Sequence, residues 1–142
     1  MKKYLIIFTL CLTACASMVG KTNYVAIGPQ NLSVQVSPAK DMPVFSKTDQ
    51  VGHPCSRIGF YQVQKLPKDQ KVIEKEIEKI KEFAAKKGAN AIILGQILNE
   101  DDPVYPINLS SYFLKYLDTL TPEDEQKIIT FVNSGGIAGV AN

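Results

Sequence analysis

Residues 68–98 read KDQKVIEKEIEKIKEFAAKKGANAIILGQIL, and this stretch decides the fold. Ile73, Ile77, Ile80 and Ala84 fall at i, i+4, i+7 and i+11, one apolar stripe along a helix of 3.6 residues per turn. Val72 and Phe83 widen it. Lys71, Lys75 and Lys79 form one ridge and Glu74, Glu78 and Glu82 the next, each lysine with a glutamate three residues on. The charged face reads as the solvated side of an amphipathic helix from about Lys68 to Lys87. Gly88 supplies a left-handed residue to end it. The run Asn90 to Leu98 then has too little alternation for a half-buried strand, so it reads as a central one.

The pattern extends outward in both directions. Arg57 to Lys65 has strand character, with Ile58, Phe60 and Val63 as apolar points. Pro67 and Gly88 keep the connections short, so this strand, the helix and the strand around Ile93 make a β-α-β unit. Adjacent and parallel strands would be joined by a right-handed crossover. Leu32, Val34 and Val36 alternate with polar residues and read as a further strand. Pro43–Ser46 reads as a short edge piece between prolines and a loop at 47–56. Beyond Leu98, Pro103 and Pro106 mark a linker. Tyr112, Phe113, Tyr116 and Leu117 give helical spacing over Ser110–Leu120. Thr121-Pro122 reads as an N-cap followed by proline at the first helical position, with Ile128, Ile129 and Val132 as that helix's apolar side.

The expected architecture is therefore α+β: a small sheet with one long amphipathic helix packed on it, a β-β-α-β core, and a C-terminal helical extension. The expected divisions are a signal peptide at 1–14, a tether at 15–31, the α+β domain at 32–100, the helical extension at 101–133 and a flexible tail at 134–142.

The first fifteen residues carry an address. Lys2 and Lys3 precede the apolar run YLIIFTLCLTA at Tyr4–Ala14, too short for the ~20 residues of a membrane-spanning helix and fitting a secretory signal peptide. Its end, Leu12-Thr13-Ala14-Cys15, resembles the lipobox of bacterial lipoproteins. That resemblance implies a diacylglycerol on the Cys15 sulfur, cleavage before Cys15, and acylation of the new amino group. The absence of aspartate at position 16, where Ala16 stands, implies by the same resemblance the outer membrane, facing the periplasm.

Cleavage there changes the charge and thiol inventories. The sequence has 16 basic and 14 acidic residues. Losing Lys2 and Lys3 balances them and leaves no clustered basic surface, which excludes a nucleic-acid footprint. Of three cysteines, Cys11 leaves and Cys15 becomes a thioether, so Cys55 is the sole thiol and no intramolecular disulfide can form. A lone cysteine of this kind is either buried or paired with another chain.

Residues 84–94, AAKKGANAIIL, resemble a second group of envelope domains: the sensor lipoprotein of the Rcs stress phosphorelay and small YbjQ-type proteins. There an amphipathic helix ends in an Ala-Gly-Ala-Asn-Ala-like run and passes into a buried strand. A preceding strand has a cysteine and a glycine nearby, and Cys55 and Gly59 look similar here. The likeness covers residues 42–98 and implies a small α+β fold with nothing catalytic. The Rcs sensor relies on two internal disulfides that this chain cannot make.

No phosphate loop, nucleophile elbow or metal-ligand spacing occurs in the sequence. His53 is the only histidine, which denies a histidine metal cluster; His53-Pro54-Cys55 offers two soft ligands restrained by proline. Glu100, Asp101 and Asp102 form an acidic turn. The expected function is that of a non-enzymatic, lipid-anchored envelope protein, without cofactor or metal, acting through contacts with an envelope protein partner. The alternative is a thiol-dependent redox or metal-binding protein using Cys55. An exposed Cys55 of depressed pKa favours that alternative and a buried one removes its basis.

Overall fold

The computed structural model describes residues 20–34, 38–136 and 140–141. Cys15 and the rest of the lipobox lie outside the described residues. Strands β1 (Lys21–Ala26), β2 (Val44–Phe45), β3 (Cys55–Leu66), β4 (Ala91–Leu98), β5 (Ile107–Tyr116) and β6 (Val140–Ala141) join helices α1 (Gln70–Lys86) and α2 (Pro122–Asn133). The fold is α+β. A mixed sheet runs in the order β1-β3-β5-β4-β2, and β6 pairs β3 beyond the end of β1. One long helix packs on the sheet and a second follows at the C-terminus.

Helix α1 begins where its caps dictate. The Asp69 carboxylate accepts from Lys71 N at 2.9 Å and Val72 N at 3.3 Å, satisfying two orphan donors. At the other end Ala89 N donates to Ala84 O at 3.0 Å and Gly88 N to Ala85 O at 2.9 Å, a Schellman motif. Gly88 has φ +86°, and a Cβ there would meet Leu32 O at 2.8 Å, so both conformation and space require glycine. The apolar stripe is as expected: Ile73, Ile80 and Ala84 are buried, and Ile77 packs at the core's margin. They meet Ile58, Val63, Leu66, Ile92, Ile107, Leu109 and Phe113 on one sheet face. Each such aliphatic side chain contributes roughly 1.5–3 kcal/mol by burial. The helix ion pairs run in the opposite sense to the spacing described above. Glu76 pairs with Lys79 and Glu78 with Lys81, each glutamate preceding its lysine. Lys81 is buried rather than solvated, because it also donates to Lys40 O in the 3₁₀ turn Ala39–Asp41.

The β-α-β unit differs from expectation in one respect. Strands β3 and β4 are both antiparallel to β5, hence parallel to each other, but β5 lies between them. The helix expected over Ser110–Leu120 is largely strand β5, the centre of the sheet. Tyr112, Phe113 and Tyr116 mimic helical spacing, whereas burial alternates as Ile107, Leu109, Ser111, Phe113 and Lys115. Ser111 and Lys115 hide that alternation from a hydropathy pattern. The helical extension therefore reduces to α2. There the Thr121 hydroxyl accepts from Asp124 N at 3.1 Å and Pro122 occupies the first position, as the sequence indicates. Of its expected apolar side only Ile128 reaches the core; Ile129 and Val132 are exposed.

The expected tether is also part of the sheet over Lys21–Ala26, paired in register with β3. A strand in which only Tyr24 is half-buried gives no apolar alternation to read. Tyr24 covers Gly59, where a Cβ would sit 2.6 Å from its ring. Tyr24 stacks on Phe113 at 5.8 Å and meets Phe83 edge-on at 5.1 Å. Residues 32–34 are not strand. Leu32 is drawn beneath Gly88 and Val34 is exposed, while residues 35–37 lie outside the described ones. In the expected tail, Val140 and Ala141 pair with Ser56 and Cys55. The short piece near Val44 is an edge strand, parallel to β4.

Candidate functional site

The sheet face opposite α1 carries a second apolar cluster. Cys55 lies in it, fully buried with Val51, Ala91, Ile93 and Leu114, and flanked by Phe45, Tyr112 and Tyr116. Burial pushes the thiol pKa up, and the nearby Arg57 charge offsets this only partly. The thiol is therefore protonated and shielded, the opposite of what nucleophilic or metal-binding chemistry needs. A buried thiol of raised pKa is not the exposed, depressed one that the thiol-dependent alternative calls for. His53 does not join it. Its Nδ1 lies 2.7 Å from Asp118 Oδ2, and its ring stacks on Tyr116 at 4.3 Å between centroids, at the surface. Among the described residues, no group of three or more His, Cys, Asp or Glu side chains is placed to hold a metal ion.

The most polar buried arrangement was not legible in the sequence. Lys115 enters from the helix-covered face of β5 and Asp124 from the first turn of α2, with about 1% and 0% of their side chains exposed. Lys115 Nζ lies 3.3 Å from Asp124 Oδ2 and donates to Ser33 O at 2.9 Å. Asp124 accepts from Ser33 N at 2.8 Å and from the Ser33 hydroxyl. Burial alone would raise the Asp124 pKa, but the two Ser33 hydrogen bonds and the Lys115 charge hold it below the ordinary carboxylate range. At the rim, Lys127 donates to Asn31 O at 2.6 Å and pairs with Glu123 at 2.7 Å. These partners are internal to the fold. The arrangement locks residues 31–33, β5 and α2 together and presents no free acid or base to a substrate.

A cleft of about 330 Å³ lies between the 38–43 segment and the end of α1, lined by Asp41, Met42, Asn90 and Tyr116 among others. Tyr116 is its phenol, and its pKa is raised by burial first and by the neighbouring Cys55 and Asp118 next. Asn90 is a structural bracket. Its Oδ1 accepts from Tyr116 N at 2.8 Å, and its own N–H donates to Leu114 O at 2.7 Å. The run Gly88-Ala89-Asn90-Ala91 thus has a physical cause: a left-handed turn, two buried methyls and an amide that docks β5.

Three buried side-chain atoms lack a partner among the described residues: Ser56 Oγ, Arg57 Nε and Ser111 Oγ. They do not form a donor set. Strand register places Ser56 and Ser111 on the α1 face and Arg57 on the other, its guanidinium 4.6 Å above the Tyr112 ring. The acidic turn holds itself. Asp102 Oδ1 accepts from Val104 N at 3.2 Å and Tyr105 N at 2.9 Å, leaving Glu100 and Asp101 exposed. Among the described residues, no helix is long and apolar enough to cross a membrane.

No family model and no curated protein matches the chain. Among solved structures, it is similar to the Francisella virulence factor FvfA in its orthorhombic form. The sequence identity is 16% and the TM-score 0.46, over 66% of this chain and 97% of the other.

Proposed function

We propose that the chain is a lipid-anchored protein of the bacterial cell envelope that acts through protein contacts, in envelope maintenance or stress sensing, and not by catalysis. One observation carries this reading: Leu12-Thr13-Ala14-Cys15 directly behind Lys2, Lys3 and a short apolar run. Each buried acyl CH₂ contributes about 0.8 kcal/mol, so two or three chains on Cys15 make release negligible where one would hold marginally. Ala16 favours the outer membrane with the domain facing the periplasm. A non-catalytic role is supported by a polar interior whose buried ion pair is consumed in holding the fold.

The test is to replace Cys15→Ala and fractionate cells. The variant is expected to accumulate as unprocessed precursor that lacks acyl chains and still carries residues 1–14. Continued membrane partition with normal processing would refute the anchor. Alkylation of the native protein addresses the thiol: Cys55 is expected to label only on unfolding.

A further inference from the structure

Strand β4 has an open edge. Ile92 N–H donates to Pro43 O at 3.1 Å, away from β5, while Asn99 N–H donates to Pro106 O at 2.6 Å on the β5 side. Even-numbered residues of β4 therefore turn their backbone groups toward β2. But β2 is two residues long and pairs only with Ile92 and Ile93. Past it, the Gln96 N–H and C=O and the Leu98 N–H face outward, and no described strand pairs there. Unpaired edges are usually blunted by lysine, proline or a bulge. The segment Leu94-Gly95-Gln96-Ile97-Leu98 has no charge and no proline, and its pairing with β5 is unbroken. Ile97 and Leu98 are each 53% exposed, and Val104 from the next turn is 63% exposed. The end of this edge is acidic, with Glu100 and Asp101 exposed just beyond Leu98.

We infer that the β4 edge at Leu94–Leu98 is a docking site for an extended segment of another protein, apolar in its body and basic at the end beside Glu100 and Asp101. This rests on the protein-contact reading above and names the partner's chemistry. Main-chain hydrogen bonds to Gln96 and Leu98 supply the pairing, and Ile97 and Leu98, on opposite faces of β4, contact side chains on the two faces of the added strand. The acidic turn sets direction. An antiparallel strand, the more stable pairing per residue, brings its N-terminal end to the turn.

The experiment uses the full chain in detergent micelles and two acetylated peptides, Lys-Lys-Thr-Val-Thr-Val-Thr-Val and the same peptide with Glu-Glu at its start. With the basic probe, amide exchange at Gln96 and Leu98 is expected to slow at least tenfold, and the acidic probe is expected to bind at least tenfold more weakly. Gln96→Pro removes an outward N–H without touching the β5 ladder and should weaken binding at least tenfold. Leu98→Lys blunts the same edge and serves if the proline variant misfolds on circular dichroism. Glu100→Lys with Asp101→Lys should invert the preference between probes. The inference is overturned by unchanged exchange at Gln96 and Leu98, by protection confined to β1, or by charge preference without amide protection. Protection of the same amides without peptide, in a dimer, would overturn it in favour of a second copy. Cys15→Ala protein is expected to bind the probe normally, so failure of the anchor and failure of the edge are separately visible.

Discussion

Helix α1 presents Ile73, Ile80 and Ala84 to the sheet, whereas α2 buries a carboxylate. The first is held by area. Its charges lie mostly in solvent, and losing one aliphatic contact leaves the others in place. The second has few contacts: Asp124 is its only fully buried residue, Ile128 meets the core's margin, and Ile129 and Val132 face solvent. Apolar contacts degrade gradually, while a buried ion pair is close to all-or-none, because removing one partner leaves the other charged in a dry site. The same face of one sheet thus carries one helix held by many apolar contacts and one held chiefly by a buried ion pair.

The comparison breaks most sharply at Asp124. Asp124→Ala strands Lys115 and is expected to cost about 3–5 kcal/mol by urea denaturation. The double variant Lys115→Met, Asp124→Leu should recover most of that loss. If the double variant is no better than the single one, volume rather than charge holds α2. In α1, Ile80→Ala is expected to cost about 2–5 kcal/mol through lost burial and a residual cavity. Thermal melts should show one cooperative transition at lower temperature.

The pH dependence separates the helices again. Asp124 has a folded-state pKa below its unfolded value, so its contribution is fully present above the ordinary carboxylate range. That contribution is lost as pH falls through the depressed folded value. Wild-type stability should therefore fall on acidification through that window, and Asp124→Asn should flatten this limb of the curve while Ile80→Ala shifts it without changing its shape. Urea midpoints measured from pH 6 downward check this. Smaller still, Thr121→Ala removes the α2 cap and should cost about 1 kcal/mol. Ile129→Glu, on the exposed side of α2, should change stability by no more than ~0.5 kcal/mol.

The sequence shows α1 clearly because its interactions are periodic: Ile73, Ile77, Ile80 and Ala84 repeat at helical spacing and Gly88 ends them. Strand β4 was legible as a strand from its apolar run but not in its place: expected to be central, it has only its first three residues buried, and β2 covers just Ile92 and Ile93 on its outer side. Strand β5 was not, because two of its core positions are Ser111 and Lys115. A lysine at a core position has meaning only once Asp124, close by in the fold but on another element, is known. Asp124 in turn looks like an ordinary acidic residue complementing a helix N-terminus. Leu32 misled for the converse reason: its burial comes from Gly88, not from a strand. Asn90 carries a polar side chain in an apolar run, and the amide it accepts from is 26 residues away. Cys55 could be weighed as buried or reactive from sequence, and only the packing of Val51, Ala91 and Leu114 around it decides between them.

The insertion of β5 between two parallel strands also sets an order of assembly. A nascent chain that has emerged as far as Leu98 possesses β3, α1 and β4 but has a gap one strand wide where their shared partner belongs. Neither strand can complete its hydrogen bonds until Ile107–Tyr116 arrives, and Lys115 then remains uncompensated until Asp124 follows. Chains halted at residue 106 should be cut readily by protease and chains reaching residue 136 should resist it, with protection gained in one late step.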